Sequence, residues 1–280
     1  MNLNFHTDDW IMKRVKEHYE EALTLYPQGQ ILGIFLQGSQ NYGLDYEGSD
    51  IDTKCIIVPS LDDIAFNKKL VSTTHVRENN EHIDLKDVRL YFDTFLKQNL
   101  NFLEILFTKY KIINPVYYDL WTELESRRED ITRMDQIRSV KSMKGIAYEK
   151  YHALEHRYPS KVDIIDKYGY DSKQLHHLLR VEEYLARYIG GEKYEDCLIP
   201  KEASAAYLRA IKEHNDFFNL EQARELASTS IANIDKMYEY ALANIPEGKD
   251  EEVEAFIRGI QGKIIKRGIK YDLSFNEQTI

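Results

Sequence analysis

Residues 31–58 have the sequence ILGIFLQGSQNYGLDYEGSDIDTKCIIV, in which two apolar runs flank a polar connection rich in glycine. The first run ends at Gly38 and predicts a short buried strand. The connection is expected to form a turn with at most a short helix, because glycines interrupt it. Residues 50–58 predict a second strand, which ends at Pro59 because proline lacks the amide hydrogen that a strand needs. The stretch therefore predicts two strands joined by a polar turn.

Apolar periodicity predicts further elements on both sides of this stretch. Asn79 and Asn80 suit a hairpin turn between two β-like segments, since asparagine tolerates a positive φ. Asp87 is a suitable N-cap for the helical repeat that follows. The predicted elements are a helix at 9–26, strands at 71–77 and 81–85, and a long helix at 87–107.

From about residue 115 onward every periodic segment is helical, and glycine or proline separates several of them. The predicted helices cover 115–127, 132–157, 171–190, 201–214, 219–244 and 250–266. We therefore expect an α+β fold, with a small mixed-sheet domain at 1–115 followed by an all-helical domain at 116–280.

Composition restricts the class of protein. The net charge of −10 weighs against a protein that coats nucleic acid, because phosphate backbones recruit positive surface. Cys55 and Cys197 are far apart in sequence and have no Cys or His at zinc-ligand spacing. The N-terminal segment lacks a secretory signal pattern, and no apolar run approaches the roughly 18 residues of a membrane span. We expect a reduced, cytoplasmic protein with no membrane contact.

Asp50 and Asp52 form the first element of a predicted site. Side chains two residues apart on a strand project from the same face, so both carboxylates would face one site while Ile51 points into the core. Converging carboxylates repel one another unless a cation lies between them. Mg²⁺ prefers a few carboxylates together with phosphate oxygens. The pair therefore predicts a Mg²⁺ (or Mn²⁺) site.

Gly38 and Ser39 form the second element, directly after an apolar strand. Glycine lets the backbone approach a phosphate closely, and the serine offers a hydroxyl and an amide hydrogen to its oxygens. A triphosphate held there would reach a cation held by Asp50 and Asp52, an arrangement that suits in-line attack on the α-phosphate. Either pair alone is common; their order between two apolar strands makes the pattern specific.

The run GSQNYG at 38–43, followed by SDID at 49–52, resembles the signature of the DNA polymerase β-type nucleotidyltransferase superfamily, in its prokaryotic and phage branch. Helices follow the catalytic domain in that branch, and YGYDSKQLHH at 168–177 is similar to a motif that they carry. The resemblance implies that 1–115 is a catalytic nucleotidyltransferase domain. It also implies transfer of a nucleoside monophosphate from an NTP, with ATP the expected donor, to a hydroxyl by a two-metal mechanism that releases pyrophosphate. The acceptor stays open between RNA (a tRNA end, for instance), a protein side chain and a small molecule.

The same resemblance implies a third carboxylate on a later strand. Asp84 lies on a β-like segment just before a helix and is the expected one. Asp87 is the alternative, although its place suits an N-cap and that role needs no metal. The expected catalytic and metal-binding residues are Asp50, Asp52 and Asp84.

Cationic side chains recur along one face of the helix predicted at 171–190: Lys173, His176, His177 and Arg180. They are expected to bind the triphosphate or the leaving pyrophosphate, across a cleft from the carboxylates. A solvated helix face beside Glu182 and Glu183 is the alternative. The expected nucleotide-binding residues are Gly38, Ser39, Lys173, His176 and Arg180.

Two other classes of function remain open. Arg209 and His214 match the R-x4-H spacing of HEPN ribonucleases, although those motifs usually place a polar residue where this chain has Ala210. A nucleotide-binding regulator without turnover is the other class. The intact pair Asp50 and Asp52 weighs against a regulator, because a sensor has little need for two metal ligands.

Overall fold

The computed structural model of the chain describes residues 4–276, which form a five-stranded sheet and a larger number of helices. The strands are β1 (Ile31–Gln37), β2 (Asp52–Ile57), β3 (Ser72–Val76), β4 (His82–Asp87) and β5 (Lys111–Ile113). Their order in the sheet is β3-β4-β2-β1-β5, with β2 and β4 parallel and the other neighbours antiparallel. The predicted α+β fold with a small mixed sheet and a helical region is confirmed.

The helices of the described residues follow in chain order. They are α1 (Asp8–Leu25), α2 (Leu61–Ala65), α3 (Val88–Leu96), α4 (Leu100–Leu103), α5 (Tyr118–Ser126), α6 (Arg128–Arg133), α7 (Gln136–Ala153), α8 (Val162–Tyr168), α9 (Ser172–Ile189), α10 (Tyr194–Leu198), α11 (Glu202–Glu213), α12 (Leu220–Asn244) and α13 (Glu251–Asn276). No helix within residues 4–276 combines the length and the apolar character needed to cross a membrane.

The second strand begins two residues later than predicted. Gln37, the last residue of β1, pairs with Asp52, and Gly38 then turns the chain away with φ +98°. Asp50 consequently has no strand partner and lies in the connection before β2. Ile51 is fully buried, as predicted, in an apolar core between α1 and the sheet.

The predicted hairpin between β3 and β4 is confirmed. The two strands pair antiparallel, and Asn80 adopts the positive φ (+64°) that the turn requires. Its amide donates a hydrogen bond to the carbonyl of Arg77 at 2.9 Å. The hairpin places Glu81 immediately before β4 and His82 at its first position.

The single helix predicted at 87–107 is wrong, because Gln98 interrupts it with φ +52°. The buried side-chain amide of Gln98 donates to the carbonyls of Phe95 and Ile131 at 2.8 and 2.9 Å. Asn99 then caps α4 by accepting from the amide of Asn101. Side-chain hydrogen bonds, one of them to a residue distant in sequence, thus replace one turn of helix.

The described chain forms two compact units. The sheet unit contains 6–41, 47–134 and 249–276, and the helical unit contains 4–5, 42–46 and 135–248. Helices α5, α6 and α13 therefore pack with the sheet unit. Gly268 of α13 lies so close to Val58 that an added Cβ would stand 2.5 Å from a methyl carbon of that side chain. The division into domains at residue 115 stays a prediction.

The helical unit is organised around α9, which packs against α7, α11 and α12. Asp171 caps α9 by accepting from the amide of Lys173 at 3.0 Å, as the sequence predicts. Most of the buried residues of α9 are apolar or aromatic, with Leu175, Leu178 and Tyr184 among them. These residues hold the unit together.

Candidate active site

The turn after β1 is fixed by Asn41. Its amide donates to the carbonyl of Gly38 at 3.0 Å, and its side chain donates to the carbonyl of Leu36 at 2.9 Å. The hydroxyl of Thr108 donates to the Asn41 side-chain oxygen at 2.7 Å. A Cβ added at Gly38 would meet no described heavy atom within 4 Å beyond its two chain neighbours. The predicted Gly38-Ser39 turn therefore combines a rigid backbone with open space beside the glycine.

The backbone of the Asp50–Asp52 segment is also held. The side-chain amide of Gln40 donates to the carbonyl of Asp50 at 2.8 Å. The amide of Ile51 donates to Oε1 of Glu81 at 3.3 Å. The side chain of Asp50 is exposed, while Ile51 anchors the segment in the core. A carboxylate is thus presented from a segment whose backbone is tied at two points.

Asp52 and Asp84 lie on one face of the sheet. Lys54 pairs with Asp84 across the parallel strands β2 and β4, and Asp52 lies two residues before Lys54, so all three side chains share that face. Oδ1 of Asp52 accepts hydrogen bonds from the backbone and the Nδ1 of His82, both at 3.0 Å. Two of the three predicted carboxylates are thereby brought to the same face.

Lys54 is a buried cation on this face. Its Nζ lies 3.5 Å from Oδ2 of Asp84 and 4.2 Å from the centre of the Phe102 ring. Burial lowers the pKa of Lys54, and the negative charge of Asp84 opposes that shift. Lys86 lies over the same ring at 4.5 Å. Asp84 thus already faces a positive charge supplied by the chain itself.

Asp87 has the capping role that the sequence suggests as its alternative. Its side chain accepts from the amide of Arg89 at 2.8 Å and forms two further bonds with the guanidinium of the same residue. It pairs with Ile57, at the end of β2 opposite to Asp52. Asp87 therefore lies away from the other carboxylates.

The donor chemistry of these residues fits a hard divalent cation. Within residues 4–276, no three histidine, cysteine or carboxylate side chains are gathered closely enough to hold a metal ion by themselves. Mg²⁺ usually takes only one or two carboxylates from a protein and completes its coordination with substrate phosphates and water. Asp50 and Asp52 offer that partial set.

The residues of the predicted cationic face of α9 differ in their exposure to solvent. Lys173 is exposed, whereas His176 and Arg180 are buried. Burial lowers the pKa of His176 to about 3, and its Nδ1 lies 2.8 Å from the carbonyl of Leu208, which requires the proton on that nitrogen. His176 is therefore neutral near pH 7 and, contrary to the prediction, adds no positive charge to this face.

Residues 42–46 are held by cations within the helical unit. The guanidinium of Arg180 lies 3.8 Å from the centre of the Tyr42 ring, and Nη2 of Arg209 donates to the carbonyl of Gly43 at 2.5 Å. His214 lies just beyond the end of α11 with an exposed side chain. The arginine of the ribonuclease-like spacing thus contacts the backbone of residues 42–46.

Four residues around the carboxylates were not predicted from the sequence to belong to the site. Lys54 and His82 carried a usable signal, since each lies two residues from a predicted site aspartate on the same strand. Gln40 and Glu81 carried none, because their bonds to residues 50–52 depend on how distant segments meet.

Comparison with known proteins gives little further information. No protein family model and no curated protein matches the chain. Among solved structures, a nucleotidyltransferase-like protein from Exiguobacterium sibiricum 255-15 aligns over 82% of this chain and 76% of its own, with 11% identity and a TM-score of 0.32. A likeness of this size decides neither the fold nor the activity.

Proposed function

We propose that this chain is a metal-dependent nucleotidyltransferase, which transfers a nucleoside monophosphate from an NTP to an acceptor hydroxyl and releases pyrophosphate. The observation that carries the proposal is the shared sheet face of Asp52 and Asp84 beside the Gly38-Ser39 turn. Because Gln37 pairs with Asp52, the turn and the first carboxylate of β2 emerge at the same end of neighbouring strands.

In the proposed reaction the oxygen of the acceptor hydroxyl bonds to the α-phosphorus, and the bond to the oxygen bridging the α- and β-phosphates breaks. Pyrophosphate leaves with that oxygen. Asp84 would take the proton of the hydroxyl, the role that the resemblance implies. Asp50 and Asp52 would hold Mg²⁺, which neutralises charge on the phosphates when bound.

The phosphates would be bound by the turn and by cations. Gly38 leaves room for close approach, and Ser39 contributes an amide and a hydroxyl. The assignment of Lys173 and Arg180 as charged donors to phosphate oxygens stays a prediction from the sequence. His176 would act only as a neutral group. ATP is the proposed donor.

The test is a transfer assay with each α-labelled NTP, Mg²⁺ or Mn²⁺, and a whole-cell extract, followed by separate nuclease and protease digestion to identify the acceptor class. Asp52→Asn should lower transfer by about 1,000-fold, because it removes a negative charge that would hold the cation needed to neutralise the reacting phosphate. Asp93→Asn, an exposed aspartate of the sheet unit, is the matched control and should transfer at the wild-type rate. Wild-type transfer by Asp52→Asn would reject the assignment.

The same preparation separates the other two classes of function. A regulator would bind NTP without releasing pyrophosphate in the presence of any extract. A ribonuclease would cleave RNA without metal and lose that activity in His214→Ala. The contact of Arg209 with the Gly43 carbonyl gives that arginine a role that needs no RNA.

A further inference from the structure

Glu81 is a buried carboxylate surrounded by donors. Its Oε2 accepts from Arg14 Nη2 at 2.5 Å, from His18 Nε2 at 2.9 Å and from Arg77 Nη1 at 3.0 Å. Only 6% of its side chain is exposed. Burial by itself raises the pKa of Glu81, but hydrogen bonds from His18, Asn79 and Arg14 outweigh it and bring the pKa to about 2. The carboxylate is therefore charged and held in one orientation.

The second oxygen of this carboxylate reaches the predicted metal-binding segment. Oε1 accepts from the amide of Ile51, the residue between Asp50 and Asp52. The ladder between β1 and β2 has its last pair at Asp52, so the amide of Ile51 lies just outside the strand pairing. Glu81 supplies the acceptor that a buried amide needs.

Glu81 also acts together with the residue that follows it. His82 holds Oδ1 of Asp52 through its backbone and its ring. The residue before β4 and the first residue of that strand thus hold the residue before β2 and the first residue of β2. The first of these contacts sets the path of the backbone, and the second sets the direction of the Asp52 carboxylate.

We infer that Glu81 is a positioning residue for the proposed transfer site: its carboxylate, locked by Arg14, His18 and Arg77, fixes the backbone at Ile51 and so the directions of the two flanking aspartates. The expected effect of Glu81 on catalysis rests on the proposed function. The effect of Glu81 on the backbone at Ile51 does not depend on that function. A glutamate that served only to neutralise neighbouring cations would not need the bond to Ile51.

The chain offers a matched control in Glu21. This glutamate belongs to the same cluster, since it accepts from Arg77 Nε at 2.6 Å and from His75 Nε2 at 2.5 Å. It joins the cluster through those two side chains rather than through the amide of Ile51. Glu21→Gln therefore disturbs the charges of the cluster and leaves the bond to Ile51 in place.

The geometric test measures amide hydrogen exchange at Ile51 by NMR in the full chain. Glu81→Gln and Glu81→Asp should each speed this exchange by about tenfold or more relative to Ile34 and Leu36 in β1. The glutamine variant leaves the amide with an uncharged acceptor, and the shorter aspartate withdraws the carboxylate from it. Glu81→Asp keeps the charge but shortens the side chain, so it serves if the glutamine variant folds poorly. Glu21→Gln should leave the exchange of Ile51 unchanged. Equal acceleration in all variants, or throughout β1, would overturn the inference.

The catalytic test measures kcat and KM for the NTP in the same variants. Glu81→Asp should lower kcat by about 10- to 100-fold with a smaller change in KM, because displaced carboxylates act on the reaction more than on NTP binding. Glu21→Gln should keep the wild-type kcat. A wild-type kcat in Glu81→Asp, with faster exchange at Ile51, would overturn the catalytic part. If the wild-type chain transfers no nucleotide, the proposed function fails while the exchange measurement still decides the geometric part.

Discussion

One oxygen of Asp52 accepts two hydrogen bonds from a single residue, His82, whose backbone amide and ring Nδ1 each lie 3.0 Å away. The two donors approach from one strand neighbour, so the carboxylate is fixed in direction. Hydrogen bonds that orient a metal-binding carboxylate commonly change metal affinity by about 10- to 100-fold when they are removed.

His82→Ala should weaken Mn²⁺ binding and lower kcat by about tenfold each, since it keeps the backbone donor and removes only the ring. Mn²⁺ affinity is measured by electron paramagnetic resonance, and kcat by the transfer assay. His75→Ala removes a ring from the neighbouring strand β3 and should leave both quantities unchanged. Equal values for His82→Ala and the wild-type chain would show that the backbone bond alone suffices.

Lys54→Met should lower the free energy of unfolding by about 1–3 kcal/mol in metal-free buffer, because it leaves Asp84 without its buried cation. Added Mn²⁺ should recover more stability in this variant than in the wild-type chain, as a cation would then replace the ammonium. Lys86→Met, which changes the other lysine over Phe102, is the control. Urea unfolding with and without Mn²⁺ gives the comparison, and equal losses in both variants would contradict the expected role of Lys54.

Glu81 should make the sheet unit sensitive to acid. Its pKa is lowered from 4.5 to about 2 by the fold, so its contribution is present above pH 4.5 and is lost as the pH falls toward 2. The stability difference between the wild-type chain and Glu81→Gln should be about 2–3 kcal/mol at pH 7 and should shrink below pH 4.5. Urea unfolding between pH 7 and pH 3 measures it, with Glu78→Gln, an exposed neighbour, as the control. A difference that does not vary with pH would contradict this account.

His176 should make the helical unit sensitive to mild acid. Its pKa is lowered from 6.5 to about 3, so the neutral buried form favours folding above pH 6.5, and that contribution is lost as the pH falls toward 3. The loss between pH 7 and pH 5 should be about 2 kcal/mol in the wild-type chain and smaller in His176→Gln. Thermal unfolding followed by circular dichroism measures it. His214→Gln, at an exposed histidine, should behave as the wild-type chain does.

Much of the sheet could be predicted because its strands and turns depend on local sequence patterns. The buried run of β1, the Asn80 turn and the cap at Asp87 depend on residues close in sequence. The break at Gln98 could not be predicted, because its amide is satisfied by Ile131, a residue outside the local window. Local patterns define the elements, whereas distant contacts decide where they stop.

The residues of the candidate site differ in the same respect. Asp52 and Asp84 follow from motif and strand periodicity, and the structure places them on one face. The role of Glu81 could not be predicted from the sequence, because its donors Arg14 and His18 come from α1, more than sixty residues earlier in the chain. The neutral state of His176 was also hidden, since helical spacing shows a shared face but not the burial of each side chain.

Helix α13 packs with the sheet unit although it is the last described element of the chain, and Gly268 lies against Val58. During synthesis the ribosome would therefore release the whole helical segment before the sheet unit could acquire its final helix. Until α13 is synthesised, the earlier parts of that unit would expose the apolar surface that α13 covers. Chaperones commonly bind nascent chains in such a state. The sheet unit can thus complete its folding only late in synthesis.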